Sequence, residues 1–459
     1  MSSKSKKMRF LSLFCDYASA LSLILFLILL WHLGKGPIKV NFLRPYIMQA
    51  LTNETSSYDI NIKSVNLELV HSVQPIKIIA KDVSFKDNEN SYEVNAPRLS
   101  LSFSARALLK GLLAPSSINL ENPQIKITTS YNKESFNPKP SNLEDTSLNT
   151  DTVLNEANLK KIEFYFDQFE DFLERFNSPE KLYIESFIND IKITDAEVLM
   201  KELETNKQFQ FTDADISFSR GITDISLKID SAVKFNDRVS GMDMGLKYRL
   251  LNGEVTYKFN FSDLVITDLY DLIVPTKGDL EFVDVPVNAQ LTAIIDFGNV
   301  LKNKDHFADN LSSNIKTLDF AIEGGNGKIG FLDNKDFDYN VSSFNLKGNL
   351  QGGLDKINIE DAVFDFNGKK AILNLSATGF KEYFLKNNLK DFKLNFNAKL
   401  GDFNMDDLSL LWPRYLGEKA WVWCKDSLYG GSISNGNFSF DFGYDDKTKK
   451  FSLLKLKGS

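Results

Sequence analysis

From Leu182 to the end of the chain, apolar and polar residues alternate with a period of two. Two clear examples are Ile225-Ser226-Leu227-Lys228-Ile229 and Val255-Thr256-Tyr257-Lys258-Phe259. Successive side chains of a strand point to opposite faces of its sheet, so each of these segments has one apolar and one polar face. The sequence therefore predicts a mainly β protein whose antiparallel strands bury one face only.

Two arrangements of these strands are open. Several compact sandwiches would bury the apolar faces against one another. An elongated, curved antiparallel sheet would instead present its apolar inner face as a groove. The alternation runs without an evident linker and few long helices can cover the sheet, which favours the groove. A groove of this size needs an occupant, because a large exposed apolar surface is a liability unless it binds a ligand.

Glycine-containing turn signals and short helices interrupt the strands. Hairpin turns are predicted at Asn252-Gly253, Gly324-Gly325-Asn326-Gly327, Gly352-Gly353 and Asn367-Gly368. Short helices are predicted at 38–51, 105–113, 159–176, 268–272, 297–302 and 404–411. The interruptions are short, so strands dominate the chain.

Composition divides the chain into six segments. These are a basic tail at 1–9, an apolar anchor at 10–33, a β-module at 36–129, a polar linker or disordered insertion at 130–158, an amphipathic helix at 159–178, and a β-groove region at 179–459. The linker is rich in Asn, Ser, Thr, Glu and Pro without a sustained apolar period, which is typical of disordered chain. The groove region ends inside a strand pattern.

The apolar run at 10–33 is long enough to cross a membrane as a helix. At ~1.5 Å per residue it extends roughly 36 Å, against about 30 Å for a bilayer core. A cleavable signal peptide is the alternative, but no small-residue cleavage site follows the run. Preceding basic residues predict a cytoplasmic N-terminus, with the bulk of the chain outside the cytoplasm. The anchor residues that we single out are Leu21, Leu25, Leu29 and Trp31.

Composition also excludes several classes of function. The net charge of -7 provides no basic stripe for nucleic acid. The two cysteines, Cys15 and Cys424, exclude a disulfide framework and a cysteine-based zinc site. The three histidines are isolated, and no nucleophile, base and orienting group occur in a recognisable arrangement. We therefore expect neither an enzyme nor a cofactor.

Phenylalanine is abundant, with 37 residues, and many lie on the apolar side of predicted strands. Phe favours strands and covers much apolar area, so these residues are candidates to line the groove. The candidates are Phe211, Phe218, Val255, Tyr257, Phe259, Phe261, Phe344, Leu346, Phe364, Phe366, Leu394, Phe396, Phe438 and Phe440.

A segment near the end interrupts the alternation with aromatic residues, a proline and a Gly-Gly turn. Its landmark residues are Trp412, Pro413, Trp421, Gly430 and Gly431. Two interpretations of Trp412, Trp421 and Trp423 are open. Their rings pack over the sheet edge as a structural plug, or they form an element that gates the groove or contacts a partner.

These landmarks resemble the AsmA-like family of bacterial envelope proteins, most closely its YhdP branch. The resemblance rests on the N-terminal anchor, on Ala107-Leu108-Leu109-Lys110-Gly111 with its flanking strands, and on the Trp412 to Gly436 region. It implies an inner-membrane protein whose periplasmic β-groove has the shape of the TamB and chorein-type bridge proteins. Members of this branch are longer, so the chain is expected to be an N-terminal portion.

The resemblance further implies a function in lipid traffic. Such a protein would carry phospholipid between the inner and outer membranes and support the outer-membrane barrier. Its expected partners are phospholipid, the inner membrane and other envelope proteins. The alternative is a non-enzymatic periplasmic scaffold or assembly factor for outer-membrane proteins. Bound phospholipid favours the carrier, and a dry interior filled with side chains favours the scaffold.

Overall fold

A computed structural model describes most of the chain and shows a mainly β protein. The described residues are 21, 24, 27–28, 30–51, 58–70, 76–87, 91–129, 167, 169–176, 183–202, 208–235, 238–265, 280–302, 312–331, 334–366, 368–379, 381, 391–407, 418–427, 429–445 and 450–458. The predicted basic tail at 1–9, the linker at 130–158 and the helix at 268–272 lie outside them.

The predicted membrane anchor is described only in part. Residues 30–35 are helical, whereas Leu25 and Leu29 lie outside the described residues. Leu21 and Trp31 are exposed, and the Lys35 Nζ atom lies 3.4 Å from the centre of the Trp31 ring. Within the described part of the chain, no helix is both long and apolar enough to cross a bilayer.

The chain forms two compact units, of which the first contains residues 1–129 and 175–208. Its strands are β1 (Ile38–Lys39), β2 (Tyr58–Leu69), β3 (Ile76–Asp87), β4 (Tyr92–Phe103), β5 (Pro115–Glu121), β6 (Gln124–Thr129) and β7 (Asp190–Glu202). Its helices are α1 (Arg44–Leu51) and α2 (Ala105–Leu109), with short 3₁₀ turns at Asn41–Leu43 and Ile184–Phe187.

Strands β1 to β4 of this first unit pair in order and antiparallel. Both β5 and β6 pair with β4, and β7 runs parallel to both. This parallel pairing places β7 in unit 1, although the sequence assigns residues 190–202 to the groove region at 179–459. Alternation alone does not distinguish parallel from antiparallel partners, and therefore does not fix this boundary.

Helix α1 covers the apolar face of β2 to β4. Ile47 of α1 is 1% exposed and packs with Ile62, Val65 and Leu101, which are at most 1% exposed. The predicted helix at 38–51 is therefore confirmed in its second half, while β1 and the first 3₁₀ turn replace its beginning. Unit 1 thus has an ordinary closed core between a helix and a sheet.

The second unit contains residues 130–174 and 209–459. Its strands are β8 (Gln208–Arg220), β9 (Asp224–Phe235), β10 (Arg238–Arg249), β11 (Glu254–Val265), β12 (Leu280–Asp284), β13 (Pro286–Asp296), β14 (Ile315–Phe331), β15 (Asn334–Gln351), β16 (Lys356–Phe366), β17 (Lys369–Thr378), β18 (Lys393–Leu400), β19 (Phe403–Asn404), β20 (Ser432–Ile433), β21 (Gly436–Asp445) and β22 (Lys450–Gly458). Its helices are α3 (residues 169–176, of which 169–174 belong here), α4 (Phe297–Lys302) and α5 (Glu418–Ser427).

The described strands of unit 2 pair antiparallel, and the pairs join strands that are near neighbours in sequence. The order is β8, β9, β10, β11, β13, β14, β15, β16, β17, β18, β21, β22, and β12 pairs with the end of β14. The β19–β20 pair lies outside this sheet. The prediction of an antiparallel, strand-rich sheet is confirmed.

Five strands contain an aspartate in the left-handed backbone region, with φ between 47° and 54°. Each follows the pattern apolar, polar, Asp, apolar: Ala80-Lys81-Asp82-Val83, Ile193-Thr194-Asp195-Ala196, Phe211-Thr212-Asp213-Ala214, Phe261-Ser262-Asp263-Leu264 and Ile359-Glu360-Asp361-Ala362. In the last three, the register of the neighbouring strand shifts at the Asp, as in a β-bulge. Asp tolerates this conformation better than most residues other than Gly. The extra residue returns the apolar side chains on both sides to one face.

Three of the four predicted hairpin turns are confirmed, and one is wrong. Gly253, Gly353 and Gly368 have positive φ between paired strands. The segment Gly324-Gly325-Asn326-Gly327 instead lies inside β14, with Asn326 at φ 55°. Gly and Asn suit a bulge as well as a turn, because both need a residue at positive φ.

Substitution of Gly327 by Ala is expected to destabilise unit 2. A Cβ atom there would lie 2.1 Å from the Asp284 carbonyl oxygen and 2.6 Å from the Val285 Cα atom. Backbone atoms cannot rotate away, so we expect a loss of about 1–3 kcal/mol. Hydrogen exchange of peptides from β12 to β14 measures it. Gly245→Ala, whose Cβ meets only Lys258 at 4.0 Å, is the control, and equal exchange in the two variants would contradict the steric argument.

Candidate functional site

The register of unit 2 aligns apolar side chains into rows that cross the strands. The first row contains Phe218, Leu227, Leu246, Tyr257, Ala293, Leu318, Leu350, Ile357, Ala377, Leu394, Phe442 and Leu453. Directly opposite residues of neighbouring strands share a face. The first row is therefore apolar across twelve strands, and at ~4.8 Å per strand it extends roughly 50 Å.

A second row lies beside the first, two residues along each strand and three along β22, where the register shifts. It contains Ile216, Ile229, Met244, Phe259, Leu291, Phe320, Gly348, Ile359, Leu375, Phe396, Phe440 and Leu456. Gly348 is the one position without a side chain. A Cβ there would lie 2.6 Å from the ring of Phe320, so that ring covers the glycine. We call the sheet surface that carries these two rows the apolar face.

The opposite face carries polar side chains in the same register. One of its rows contains Ser217, Lys228, Gly245, Lys258, Thr292, Asp319, Asn349, Asn358, Ser376, Asn395, Asp441 and Lys455. Asn260 donates a hydrogen bond of 2.9 Å to the Asp243 carboxylate, and Asn358 donates one of 3.3 Å to Asn349. Unit 2 thus has one wettable face and one apolar face.

All fourteen residues predicted to line a groove lie on the apolar face. Phe218 and Val255 are buried, at 8% and 6% exposure. The other twelve are half-buried, so part of each side chain stays open to solvent. Core Phe and Leu residues are commonly almost fully buried. This partial exposure is the property that sets the apolar face apart from the closed core of unit 1.

Neighbouring aromatic rings on the apolar face contact one another. Phe364 stacks on Phe344 and on Phe366, with ring centres 6.2 and 5.8 Å apart. Phe440 packs against Phe396 at 5.9 Å and against Phe438 at 6.4 Å. The rings thus form apolar patches both along a strand and between neighbouring strands.

Helices α3 and α4 cover one end of the apolar face. Phe169 of α3 contacts Phe297 of α4 at 5.1 Å and Tyr248 at 6.1 Å, and Phe172 contacts Phe218 at 5.8 Å. These aromatic contacts explain why the large side chain of Phe218 is buried, whereas Tyr257 in the same row is half-buried. Of the described strands of unit 2, all but β19 and β20 belong to the same sheet. No second sheet of comparable size is therefore available among them, and the buried cluster of Val233, Phe235, Leu264 and Val287 forms within the apolar face of this same sheet.

Two tyrosines, Tyr248 and Tyr257, contribute phenol groups to the apolar face. Burial raises the pKa of the Tyr248 phenol and that of the Tyr257 phenol above the usual value. In contrast, the Lys316 ammonium hydrogen-bonds Glu254 at 2.9 Å and lowers the pKa of that carboxyl at the end of β11. Charge is therefore placed at the strand ends and on the polar face.

The sequence did not identify several residues that belong to the same surface. Met242, Met244 and Leu246 of β10 lie directly opposite Phe261, Phe259 and Tyr257. Their period of two is visible in the sequence, although Gly241 and Gly245 weaken the strand pattern. Phe320 and Leu375 complete the second row and alternate in the same way. A search that starts from aromatic residues therefore misses aliphatic and Met side chains that belong to the same surface.

The structure describes the predicted landmark segment only in part, at α5 and at the turn that follows it. Trp412 and Pro413 lie outside the described residues, and Trp421 lies in α5. Trp423 is 57% exposed, which disfavours, for this residue, the interpretation of a structural plug.

Gly430 and Gly431 have positive φ, which lets the chain turn sharply before β20. The Gly430 N–H donates to the Asp406 carboxylate at 2.9 Å and the Met405 N–H donates to the Gly431 carbonyl at 3.0 Å. These bonds and the β19–β20 pair hold the turn in place.

Two further findings concern metal binding and similarity to known proteins. Among the described residues, no three His, Cys, Asp or Glu side chains converge as metal ligands would. No protein-family model, no curated protein and no solved structure matches the chain. The apolar face is therefore the feature from which we infer a function.

Proposed function

We propose that the apolar face of unit 2 binds the acyl chains of phospholipids and that the protein carries phospholipid along it. The observation that supports this most is the first row, which crosses twelve strands and contains eleven aliphatic or Phe positions and one Tyr. A large apolar surface of this kind marks a binding site for an apolar partner.

A phospholipid that leaves a membrane without such a surface meets a large free-energy barrier. Transfer of the acyl chains of a diacyl lipid into water costs roughly 0.8 kcal/mol of free energy per methylene. About thirty methylenes therefore give a barrier on the order of 25 kcal/mol. Contact with Phe, Leu, Ile and Met side chains removes much of this barrier. The polar head group stays in solvent, because nothing requires it to enter the rows.

The dimensions of the apolar face suit acyl chains. One leaflet of a bilayer core is about 15 Å thick, so an acyl chain laid along a row crosses roughly three strand intervals of ~4.8 Å. The two rows lie beside each other and can hold the two chains of one lipid. Since neighbouring row positions differ little in polarity, the free energy changes little as the lipid moves along them.

The proposed cellular role follows from the N-terminal segment. An anchor at 10–33 in the inner membrane would hold the protein beside one source of phospholipid, with both units in the periplasm. Movement between the inner and outer membranes would then maintain the outer-membrane barrier. Other envelope proteins would serve as partners at the far end.

Photocrosslinking tests the proposed binding surface directly. We expect a photoreactive amino acid at Phe259 or Phe396 to crosslink to phospholipid in cells, because both side chains lie in the second row. The matched controls are Asn260 and Asn397, which are the next residues in the same strands but lie on the opposite face. Mass spectrometry of the purified adducts identifies the lipid. Equal labelling at all four positions, or none at the Phe positions, would contradict the proposal and favour a dry scaffold.

A further inference from the structure

We propose that the loop formed by residues 104–114 of unit 1 inserts into the surface of an anionic membrane. This loop contains the motif Ala107-Leu108-Leu109-Lys110-Gly111, which lies in unit 1 and is not part of the proposed lipid-binding surface of unit 2. The loop carries three exposed leucines: Leu108 at 53%, Leu109 at 90% and Leu113 at 37%. We call it the leucine loop.

The exposure of these leucines is built into the fold. Ala107 and Ala114 are 0% exposed and pack with Phe187, which fixes the base of the loop. The Ser104 hydroxyl accepts a hydrogen bond of 3.3 Å from the Ala107 N–H and caps α2. The Ser104 N–H donates to the Ala114 carbonyl at 3.0 Å and closes the loop.

The end of α2 is equally well ordered. The Leu112 N–H donates to the Ala107 carbonyl, and the Gly111 N–H donates to the Leu108 carbonyl, both at 3.0 Å. Together with Gly111 at φ 73°, these are the two bonds of a Schellman motif. The leucines are thus held outward by a rigid backbone, which lowers the entropy lost on binding.

Cations accompany the leucines. Arg106 and Lys110 are exposed on the same short helix, and the Lys110 Nζ atom lies 5.9 Å from the Phe187 ring centre. Leucines beside basic residues are typical of segments that lie in the interface of anionic membranes. This charge complementarity favours a lipid surface over an apolar protein surface as the occupant.

The topology places the leucine loop at the end of the sheet where the N-terminal segment enters. Ile38 of β1 lies opposite Leu67, which lies opposite Ile78, and Ile78 lies opposite Leu101. The leucine loop begins just after Leu101 and β4. The N-terminal apolar segment precedes Ile38, so both elements leave the sheet at the same end. Leu69, 45% exposed, ends β2 there as well.

The inference rests on the proposed membrane anchor, and one experiment on residues 1–459 tests the two separately. In a Cys15→Ser, Cys424→Ser background, Leu109→Cys is labelled with an environment-sensitive fluorophore. The protein is reconstituted into vesicles of phosphatidylethanolamine and phosphatidylglycerol. Leu251→Cys is the matched control, because Leu251 is a 97% exposed leucine in a turn of unit 2.

We expect the Leu109 label to show blue-shifted emission and quenching by brominated lipid, while the Leu251 label shows neither. Vesicles of phosphatidylcholine alone should lower the quenching, since Arg106 and Lys110 lose their anionic partners. If the protein floats with the vesicles but the two labels behave alike, the loop proposal is overturned while the anchor stands. If the protein does not float with the vesicles, the anchor is overturned and the loop proposal with it.

Discussion

Substitution of Phe396 by Asp is expected to reduce phospholipid transfer between vesicles by roughly 10- to 100-fold. Phe396 lies in the second row, between Leu375 and Phe440. Loss of its contact with an acyl chain removes about 1.5–3 kcal/mol, and the carboxylate adds a desolvation penalty for any lipid that passes it. Because the row is continuous, one charged position obstructs movement along the whole path.

Asn397→Asp is the control for this experiment. It introduces the same carboxylate one residue away in β18, but on the exposed polar face. The transfer rate should match that of the unaltered protein. Circular dichroism checks that both variants fold. Equal transfer by the two variants would refute a path along the apolar face.

Substitution of Leu101 by Ala is expected to destabilise unit 1 by about 2–5 kcal/mol. Leu101 is 1% exposed and packs with the cluster that contains Ile47, Ile62 and Val65. Truncation of a fully buried leucine removes its transfer free energy and leaves a cavity. Hydrogen exchange of peptides from β2 to β4 measures the change in unit 1 without assuming that both units unfold together.

Leu109→Ala provides the comparison within the same unit. Its side chain is 90% exposed, so its truncation should change the stability of unit 1 by less than about 0.5 kcal/mol. A similar loss of protection in the two variants would show that the leucine loop belongs to the core. The pair therefore also separates a folding role of Leu109 from a role at a membrane surface.

The alternation of residues predicted much of the fold. A strand with one apolar face has a period of two, which is why residues such as Phe259 and Phe396 could be placed on one surface before their partners were known. The pairing order could not be predicted, because the strands of both units have a similar pattern. The parallel pairing of β7 is the clearest example, since it moves residues 190–202 into unit 1.

Burial and bulges were harder to predict than strands. Phe218 and Phe259 have similar sequence surroundings, yet α3 covers only the first. That difference depends on a contact between distant segments. The segment around Asn326 was predicted to be a hairpin turn, because Gly and Asn satisfy the same backbone requirement in a turn and in a bulge.

The left-handed aspartates have a consequence for how this sheet can change in evolution. Insertion of one residue into a regular strand inverts every following side chain. Asp213, Asp263 and Asp361 each occupy a position where the strand already contains one residue more than its neighbour. Gain or loss of one such bulge residue changes the length of the strand by one residue. The pairing register with the neighbouring strand shifts at that position, and the apolar side chains stay on the same face. The sheet can therefore lengthen or shorten in single-residue increments without turning its surface inside out.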